Sequence, residues 1–312
     1  YDEKGNFIGE EVPTQKEVVD IDSVKSNFKT KKLEPFDTVS DMESAIYLSK
    51  FSEDTKIIWD GYHTKGDGGG NKGLLKFGAH TADGGYIFSV DANTYIQADL
   101  KGDNVSALKY GVRKFDGSNE YDSILQFKNA LANPLNIPVS LPSGRYGISD
   151  TFKNGQRGKA LIGDSPVMFP HQQGRQSCEI KWLGGVEPRK AMIIVGQNEV
   201  GAEPTLDGSG NILKNIYLDG DNKVGFLVYG TYLTNETLID NIGGQGGTET
   251  NFYFARGWFA AIRNVFSRAG MNNGISLALP LVYADGTQVN WVTNGALELN
   301  NVEISNIRSH SS

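Results

Sequence analysis

From about residue 103 onward, short apolar runs alternate with glycine, asparagine and aspartate. Runs of this length, bounded by turn-forming residues, predict β-strands, and no coiled-coil or helical-repeat period accompanies them. The chain therefore reads as many short strands joined by turns. The predicted strands are Ala160–Ile162, Glu179–Trp182, Met192–Val195, Leu213–Leu218, Phe226–Val228, Leu238–Ile242, Phe252–Phe254, Ala261–Phe266, Ile275–Leu277 and Leu297–Ile307.

A tetrapeptide recurs in these strands: an aliphatic residue, any residue, asparagine, then isoleucine or valine. Its aliphatic residues are three apart, which breaks the two-residue alternation of a straight strand. A corner explains the break, with asparagine at the bend bonding backbone above and below. The first steps are 26, 23 and 37 residues, about one β-helix coil with insertions; chance recurrence is the alternative. The copies begin at Leu213, Ile239, Ile262, Leu299 and Ile304.

An amphipathic helix is predicted at about residues 119–132. Its apolar positions recur at steps of three and four, so they share one face. Polar residues before it can supply the N-cap oxygen, and Asn133-Pro134 ends it. The apolar face consists of Tyr121, Ile124, Phe127 and Leu131.

Residues 36–102 have a different pattern, which predicts a small α+β module. Ser40-Asp-Met-Glu43 is interpreted as a capping box that opens a short helix. Four strands follow, at Lys56–Asp60, Leu74–Phe77, Tyr86–Val90 and Tyr95–Asp99. The glycine-rich segment 66–70 lacks a following Gly-Lys-Ser/Thr, so a turn that needs positive φ is favoured over a phosphate loop.

Two stretches resemble a known family. Residues 104–149 run as a strand, an Asp116-Gly117 turn, a helix, and two strands around Pro142-Ser-Gly144. This layout is similar to the opening segment of the pectate-lyase-like right-handed β-helices of phage tailspikes. The string Gly61-Tyr62 followed by Gly66-Asp-Gly-Gly-Gly70 is similar to the small module that precedes the β-helix in many tailspikes.

The resemblance implies a mainly β fold: a right-handed parallel β-helix from about residue 135, preceded by a capping helix and a small α+β N-terminal module. We therefore expect an N-terminal arm at 1–35, the module at 36–102, and the β-helix domain at 103–312. The arm is rich in charge, which predicts either a solvated linker or a virion-attachment segment. We also expect the β-helix to continue beyond Ser312.

Composition narrows the possible partners. The net charge is −7, which disfavours a nucleic-acid partner. The sequence contains no run of about 18 apolar residues, so a membrane-spanning helix is not predicted. Cys178 is the only cysteine and is expected to be a small buried hydrophobe. The four histidines are scattered along the chain, so we expect neither a metal site nor a cofactor.

Candidate catalytic residues follow from the chemistry of glycoside hydrolysis, which needs two carboxylates about 5–9.5 Å apart. Coils of a β-helix stack about 4.8 Å apart, so such a pair can come from successive coils. Acids in or just after consecutive predicted strands are therefore candidates, although each alone is also typical of a solvated turn. They are Asp219, Asp221, Asp240 and Glu249.

Candidate substrate contacts lie near the same coils. Aromatic rings can stack on sugars, and an arginine can grip a carboxylate in two-pronged fashion, or neutralise a uronate in a lyase. Core packing and a solvated outer face are the alternatives. These candidates are Arg256, Trp258, Tyr253 and Tyr232.

The resemblance implies a phage tailspike, located in the virion tail and acting outside the host cell. It would recognise and depolymerise a host capsular or other surface polysaccharide, by hydrolysis in preference to lyase β-elimination. One alternative is a non-cleaving receptor-binding tail fibre. Another is that this chain is the structural, virion-proximal part and that the catalytic coils lie beyond Ser312. The resemblance further implies a homotrimer that contacts other virion tail proteins through its N-terminal arm, with neither nucleic acid nor membrane as a partner.

Overall fold

A computed structural model describes residues 35–48, 51–154, 158–165, 178–196, 200, 210–268, 273–277, 281–288 and 299–310. Residues 1–34 of the predicted arm lie outside the described residues. Within the described residues, no helix is long and apolar enough to cross a membrane.

The N-terminal module is a helix on a small antiparallel sheet. Helix α1 spans Val39–Tyr47 and buries Val39, Met42 and Ile46. The sheet has the order β1-β2-β4-β3. Its strands are β1 (Lys56–Trp59), β2 (Asn71–Phe77), β3 (Ile87–Ser89) and β4 (Thr94–Ala98).

The capping box of α1 lies two residues earlier than predicted. Thr38 is the N-cap, and its hydroxyl oxygen accepts a hydrogen bond from the Asp41 amide at 3.2 Å. The prediction of a box at Ser40 and Glu43 is therefore wrong. Both Thr38 and Ser40 can cap a helix, but starting at Thr38 brings Val39 into the first turn, where it is buried.

The glycine-rich turn of this module is organised by one carboxylate. The side chain of Asp67 accepts hydrogen bonds from the amides of Tyr62, His63, Thr64 and Gly69 at 2.7–3.1 Å. The left-handed φ values of Gly66 and Gly68, 78° and 89°, confirm the predicted need for positive φ.

From β5 onward, every pair of named strands is parallel, and the strands stack into the coils of a parallel β-helix. This confirms the predicted fold class. The strands are β5 (Val105–Ser106), β6 (Val139–Leu141), β7 (Gly144–Ile148), β8 (Phe152–Asn154), β9 (Ala160–Gly163), β10 (Cys178–Trp182), β11 (Glu187–Gly196), β12 (Ile212–Thr234), β13 (Leu238–Trp258), β14 (Ala261–Arg268), β15 (Asn273–Leu277), β16 (Leu299–Asn300) and β17 (Glu303–His310).

Three stacks of strand segments, which we name sheets 1, 2 and 3, form the walls. In sheet 1, each coil contributes one aliphatic side chain to a column that faces the core. Sheets 2 and 3 follow it along each coil. The sheet 1 column is Val105, Val139, Leu161, Leu213, Ile239 and Ile262, and Ile304, which is 41% exposed, is next in register on the last described coil. Sheet 2 carries the column Arg145, Glu179, Tyr217, Gly243, Phe266 and Arg308; sheet 3 carries Phe152, Ile193, Val228, Phe252 and Ile275.

An asparagine ladder marks the corner between sheets 1 and 2. Asn215, Asn241, Asn264 and Asn306 have left-handed φ values of 59°, 52°, 51° and 50°. Asn241 donates to the amide oxygen of Asn215 at 2.8 Å, and Asn306 donates to that of Asn264 at 2.6 Å. Asparagine tolerates this conformation better than most residues, so the predicted corner is confirmed.

The hydrogen bonds of the ladder differ from those expected. Only Asn215 donates to backbone, the Gly163 carbonyl, at 3.1 Å, whereas Asn264 donates to the Asp240 carboxylate at 2.8 Å. The copy that begins at Leu299 lies at another corner, because Leu299 pairs with Gly257 and Asn301 precedes β17.

Helix α2 caps the first coil and spans Ile124–Leu131, so it is shorter than predicted. It buries Phe127, Ala130 and Leu131, and Phe127 stacks on Phe152 with ring centroids 5.4 Å apart. The Asp122 side chain accepts hydrogen bonds from the amides of Ile124 and Ser149. These bonds connect the start of the helix to the end of β7.

The asparagine corner predicts an order of stabilities among two variants. Asn241→Gly loses the side-chain bond but adopts positive φ freely, while Asn241→Ala also pays roughly 1–2 kcal/mol for the left-handed conformation. We expect the thermal unfolding midpoint to fall in the order wild type, Gly variant, Ala variant, at one fixed scan rate. An alanine variant as stable as the glycine variant would contradict the role given to the corner.

Candidate functional site

The outer surface of sheet 2, which we call the sheet 2 face, concentrates charged and aromatic side chains. Alternate residues of its strands point inward, where Tyr146, Ile180 and Leu218 are completely buried. The residues between them point outward in two columns. One is Arg145, Glu179, Tyr217, Gly243, Phe266 and Arg308; the other is Gly147, Lys181, Asp219, Gln245 and Arg268.

Glu179 is the acid of this face whose titration is most altered. Its side chain is 20% exposed, and one carboxylate oxygen accepts from Arg145 Nε at 3.0 Å. Burial raises the pKa of Glu179, and the Asp219 carboxylate raises it further, although Arg145 and Lys181 act in the opposite direction. Raised carboxyl pKa values are typical of groups that donate protons near neutral pH.

Asp219 lies on the next coil, diagonally across from Glu179. The register pairs Glu179 with Tyr217 and Lys181 with Asp219, so both acids are on one face, two residues apart along the strand direction. Diagonal neighbours of this kind are about 7–8 Å apart. Glycoside hydrolysis uses carboxyl groups about 5–9.5 Å apart, a separation that side chains on such neighbouring positions can adopt.

Tyr217 lies directly beside Glu179 in the column. It is 6% exposed, and its hydroxyl has no hydrogen-bond partner among the described residues. Burial raises the pKa of Tyr217, and Asp219 and Glu179 raise it further. The hydroxyl oxygen itself is buried, so Tyr217 acts on this face as a covered polar group beside Glu179.

Asp221 is at the edge of the same face. Its φ is 52°, its amide donates to Asp219 Oδ1 at 3.1 Å, and its carboxylate pairs with Lys223 at 2.6 Å. Asp221 therefore positions the Asp219 carboxylate through its backbone amide. On the opposite side of the face, Lys181 pairs with Glu120 at 2.8 Å.

The other two predicted acids lie on different faces. Asp240 is on sheet 1, where it pairs with Lys214 at 3.2 Å and accepts from Asn264. Glu249 is in sheet 3, is 7% exposed, and accepts from the Ala284 amide at 2.6 Å. The structure thus brings together only Asp219 and Asp221 of the four.

Three of the four predicted substrate contacts converge at another corner. Tyr232 and Arg256 both have left-handed φ, and the guanidinium carbon lies 5.2 Å from the Tyr232 ring centroid. Trp258 meets the same ring edge-on at 5.6 Å. Arg256 is 8% exposed, so its side chain is largely covered.

Tyr253 is 1% exposed and does not reach the surface. It stacks on Tyr229 with centroids 5.1 Å apart, and both belong to a second apolar cluster with Leu281 and Tyr283. Arg189 fixes this covering segment by pairing with Asp285 at 2.9 Å. We therefore leave Tyr253 out of the proposed site.

Sequence reasoning missed Glu179. The alternation of Glu179 and Lys181 in a predicted strand was the available signal, because it places both side chains outward. The alignment of these residues with Asp219 was not visible in the sequence, because a long stretch of chain separates them from Asp219. Among the described residues, no group of three His, Cys, Asp or Glu side chains could hold a metal ion.

The site predicts two opposite shifts in the titration of Glu179. Asp219→Asn removes a negative neighbour and should lower the pKa of Glu179, whereas Arg145→Gln removes a positive one and should raise it. Carbon-detected NMR titration of the Glu179 carboxyl measures both. Shifts of the same sign, or none, would show that the three groups do not interact as described.

Comparisons with known proteins give similarity in structure alone. No family model matches, and no curated protein sequence does. Among solved structures, the tailspike gp49 of Acinetobacter baumannii phage Fri1, a capsular polysaccharide depolymerase, is 14% identical with a TM-score of 0.55 over 75% of this chain and 43% of that one. The tailspike gp42 of Acinetobacter phage vb_AbaP_AS12 is 15% identical, with a TM-score of 0.55 over 77% and 40%.

A third similar structure is Pantoea stewartii WceF, a glycan biofilm modifying enzyme with a tailspike-like parallel β-helix fold. It is 16% identical, with a TM-score of 0.51 over 90% of this chain and 41% of WceF. This chain thus spans about two fifths of the length of these three proteins. The chain has the parallel β-helix fold of phage tailspikes, as its sequence predicted.

Proposed function

We propose that this chain is part of a phage tailspike that binds a bacterial surface polysaccharide and cleaves its glycosidic bonds by hydrolysis. The observation that supports this most is the pair Glu179 and Asp219 on adjacent coils of an exposed, charged face. The fold shared with tailspike depolymerases supports the substrate class.

Each carboxyl group has a role that its surroundings favour. Glu179, with its raised pKa, donates a proton to the leaving glycosidic oxygen. Asp219 acts on the other side of the bond, either activating water or attacking the anomeric carbon. Water supplies the hydroxyl that ends on that carbon. Because protonated Glu179 is required, the rate should fall as pH rises through its pKa.

Hydrolysis is favoured over β-elimination by the state of Tyr217. A lyase needs a base to remove the proton next to the uronate carboxyl, and the tyrosine on this face has a raised pKa, so its phenolate is rare at neutral pH. A non-cleaving receptor-binding fibre is the second candidate, because the same face can bind a glycan without reacting.

The assembly follows from the same proposal. We propose a homotrimer in the virion tail that acts outside the host cell and contacts other tail proteins through its N-terminal arm. Identical chains usually assemble with closed cyclic symmetry, and the described residues expose large apolar side chains, among them Phe259, Val186 and Val282 at 61%, 73% and 52%.

The proposal predicts loss of turnover in two variants. Glu179→Gln and Asp219→Asn keep the shape of the site but remove its acid and its second carboxylate, so each should lower the rate by about 10²-fold or more. New reducing ends released from host polysaccharide measure hydrolysis. The ultraviolet absorbance of an unsaturated uronate would instead reveal a lyase.

Matched controls come from acids on the other faces. Asp240→Asn and Glu249→Gln should keep turnover within a few-fold of wild type when the protein is folded. Asp221→Asn keeps the backbone amide that donates to Asp219, so it should also keep turnover within a few-fold. Normal turnover in both Glu179→Gln and Asp219→Asn would overturn the assignment. Binding without any new reducing end in the wild type would favour the receptor-binding fibre.

The assembly proposal predicts a solution mass of three chains. Light scattering on the purified chain measures this mass directly. A stable monomer, unchanged with concentration, would contradict a trimer whose interface lies in these residues.

A further inference from the structure

We propose that a cleft beside the asparagine ladder is a subsite for an acidic sugar residue of the bound glycan. This inference rests on the proposed function, since the glycan is the one cleaved at Glu179 and Asp219. The cleft has a volume of about 170 Å³. It is lined by Asn241, Ile242, Asn264, Val265, Phe266, Asn306 and Arg308.

The lining combines the three groups that recognise a charged sugar. The half-buried Phe266 contributes apolar ring surface to the wall of the cleft. The asparagine amides offer donors and acceptors for hydroxyl groups, and among the described residues the amide oxygen of Asn241 accepts no hydrogen bond. Arg308 supplies the positive charge.

The arginine is oriented by the ladder itself. Arg308 donates from Nε to the amide oxygen of Asn306 at 3.0 Å, which leaves the two terminal nitrogens of its guanidinium for a ligand. Within the described residues Arg308 forms no ion pair, unlike Arg145 and Arg263. A planar guanidinium of this kind matches a carboxylate in two-pronged fashion.

A second cation lies at the same level of the face. Arg268 pairs in register with His310 and shares the outward side of β14 with Phe266. Its charge counteracts the raised pKa of Tyr217, so it stands within electrostatic reach of that residue. Among the described residues, the Arg268 guanidinium has no carboxylate partner. The upper part of the face is therefore positive, whereas the lower part carries Arg145 and Lys181 beside Glu179 and Asp219 and so holds charges of both signs.

Coil spacing sets the distance between this subsite and the cleavage point. Tyr217, Gly243 and Phe266 are on three successive coils, so Phe266 lies about 10 Å along the axis from Tyr217. This is the length of roughly two sugar residues, each advancing about one coil spacing. The acidic sugar is thus placed two to three residues from the scissile bond.

The test uses binding in a protein that cannot cleave. Glu179→Gln is measured by calorimetry against purified capsular polysaccharides, acidic and neutral, and against the carboxyl-reduced form of each acidic one. We expect the tightest ligand to be acidic and carboxyl reduction to weaken its binding about tenfold, roughly 1.4 kcal/mol. Adding Arg308→Gln should cause the same loss for the acidic form and less than about a twofold change for the reduced form.

Arg308→Lys and Arg189→Gln are the matched variants. The lysine variant should recover only part of the affinity, because it keeps the charge but loses the planar fork. Arg189→Gln removes another exposed arginine, which lies outside the cleft and pairs with Asp285, and should leave binding unchanged. Either a neutral polysaccharide bound most tightly, equal effects of Arg308→Gln on acidic and reduced forms, or no binding at all would overturn the inference.

The two proposals fail in different ways. If wild-type protein releases no reducing ends while Arg308→Gln still weakens binding of the acidic form alone, hydrolysis is refuted and the subsite stands. If wild type cleaves but Arg308→Gln lowers neither affinity nor discrimination, the subsite is refuted and hydrolysis stands.

Discussion

The column of aliphatic side chains along sheet 1 is the interaction on which the other features depend. From Val105 to Ile262 each buried member covers the one on the coil below, and none can move by one residue without turning outward. Burying a side chain of this size contributes about 1.5–3 kcal/mol. The register of sheet 1 is thereby fixed, and the asparagine corner transmits it to sheet 2.

Because the corner sets the register of sheet 2, the arrangement of side chains on the sheet 2 face follows from the packing of the core. Glu179 and Asp219 meet only because Ile180 and Leu218 are stacked inside the same two strands. The charged columns need no hydrogen bonds of their own to be aligned. Regular backbone on both sides of the site also limits its motion, which suits groups that must keep a fixed separation.

The sequence predicted what depends on local pattern. The strands predicted between residues 160 and 277 have counterparts, whereas the described part of the strand predicted at Leu297–Ile307 is divided into two at Asn301. The recurring Asn-Ile/Val step identified the corner because only a bend separates two inward aliphatics by three residues. The site was predicted only in part. Glu179 needed the alignment of two coils of unequal length, and the burial of Glu249 and Tyr253 depends on residues 281–288, which are distant in sequence.

One side chain per coil in each column has an evolutionary consequence. A change at Phe266 or Arg308 alters one level of the sheet 2 face and leaves the levels of Glu179 and Tyr217 in place, since each coil contacts mainly its neighbours. Under the proposed function, a glycan that differs in a single sugar would be matched by substitutions on a single coil. Changes in glycan recognition would then leave the proposed cleavage site, on other coils of the same sheet, unaltered.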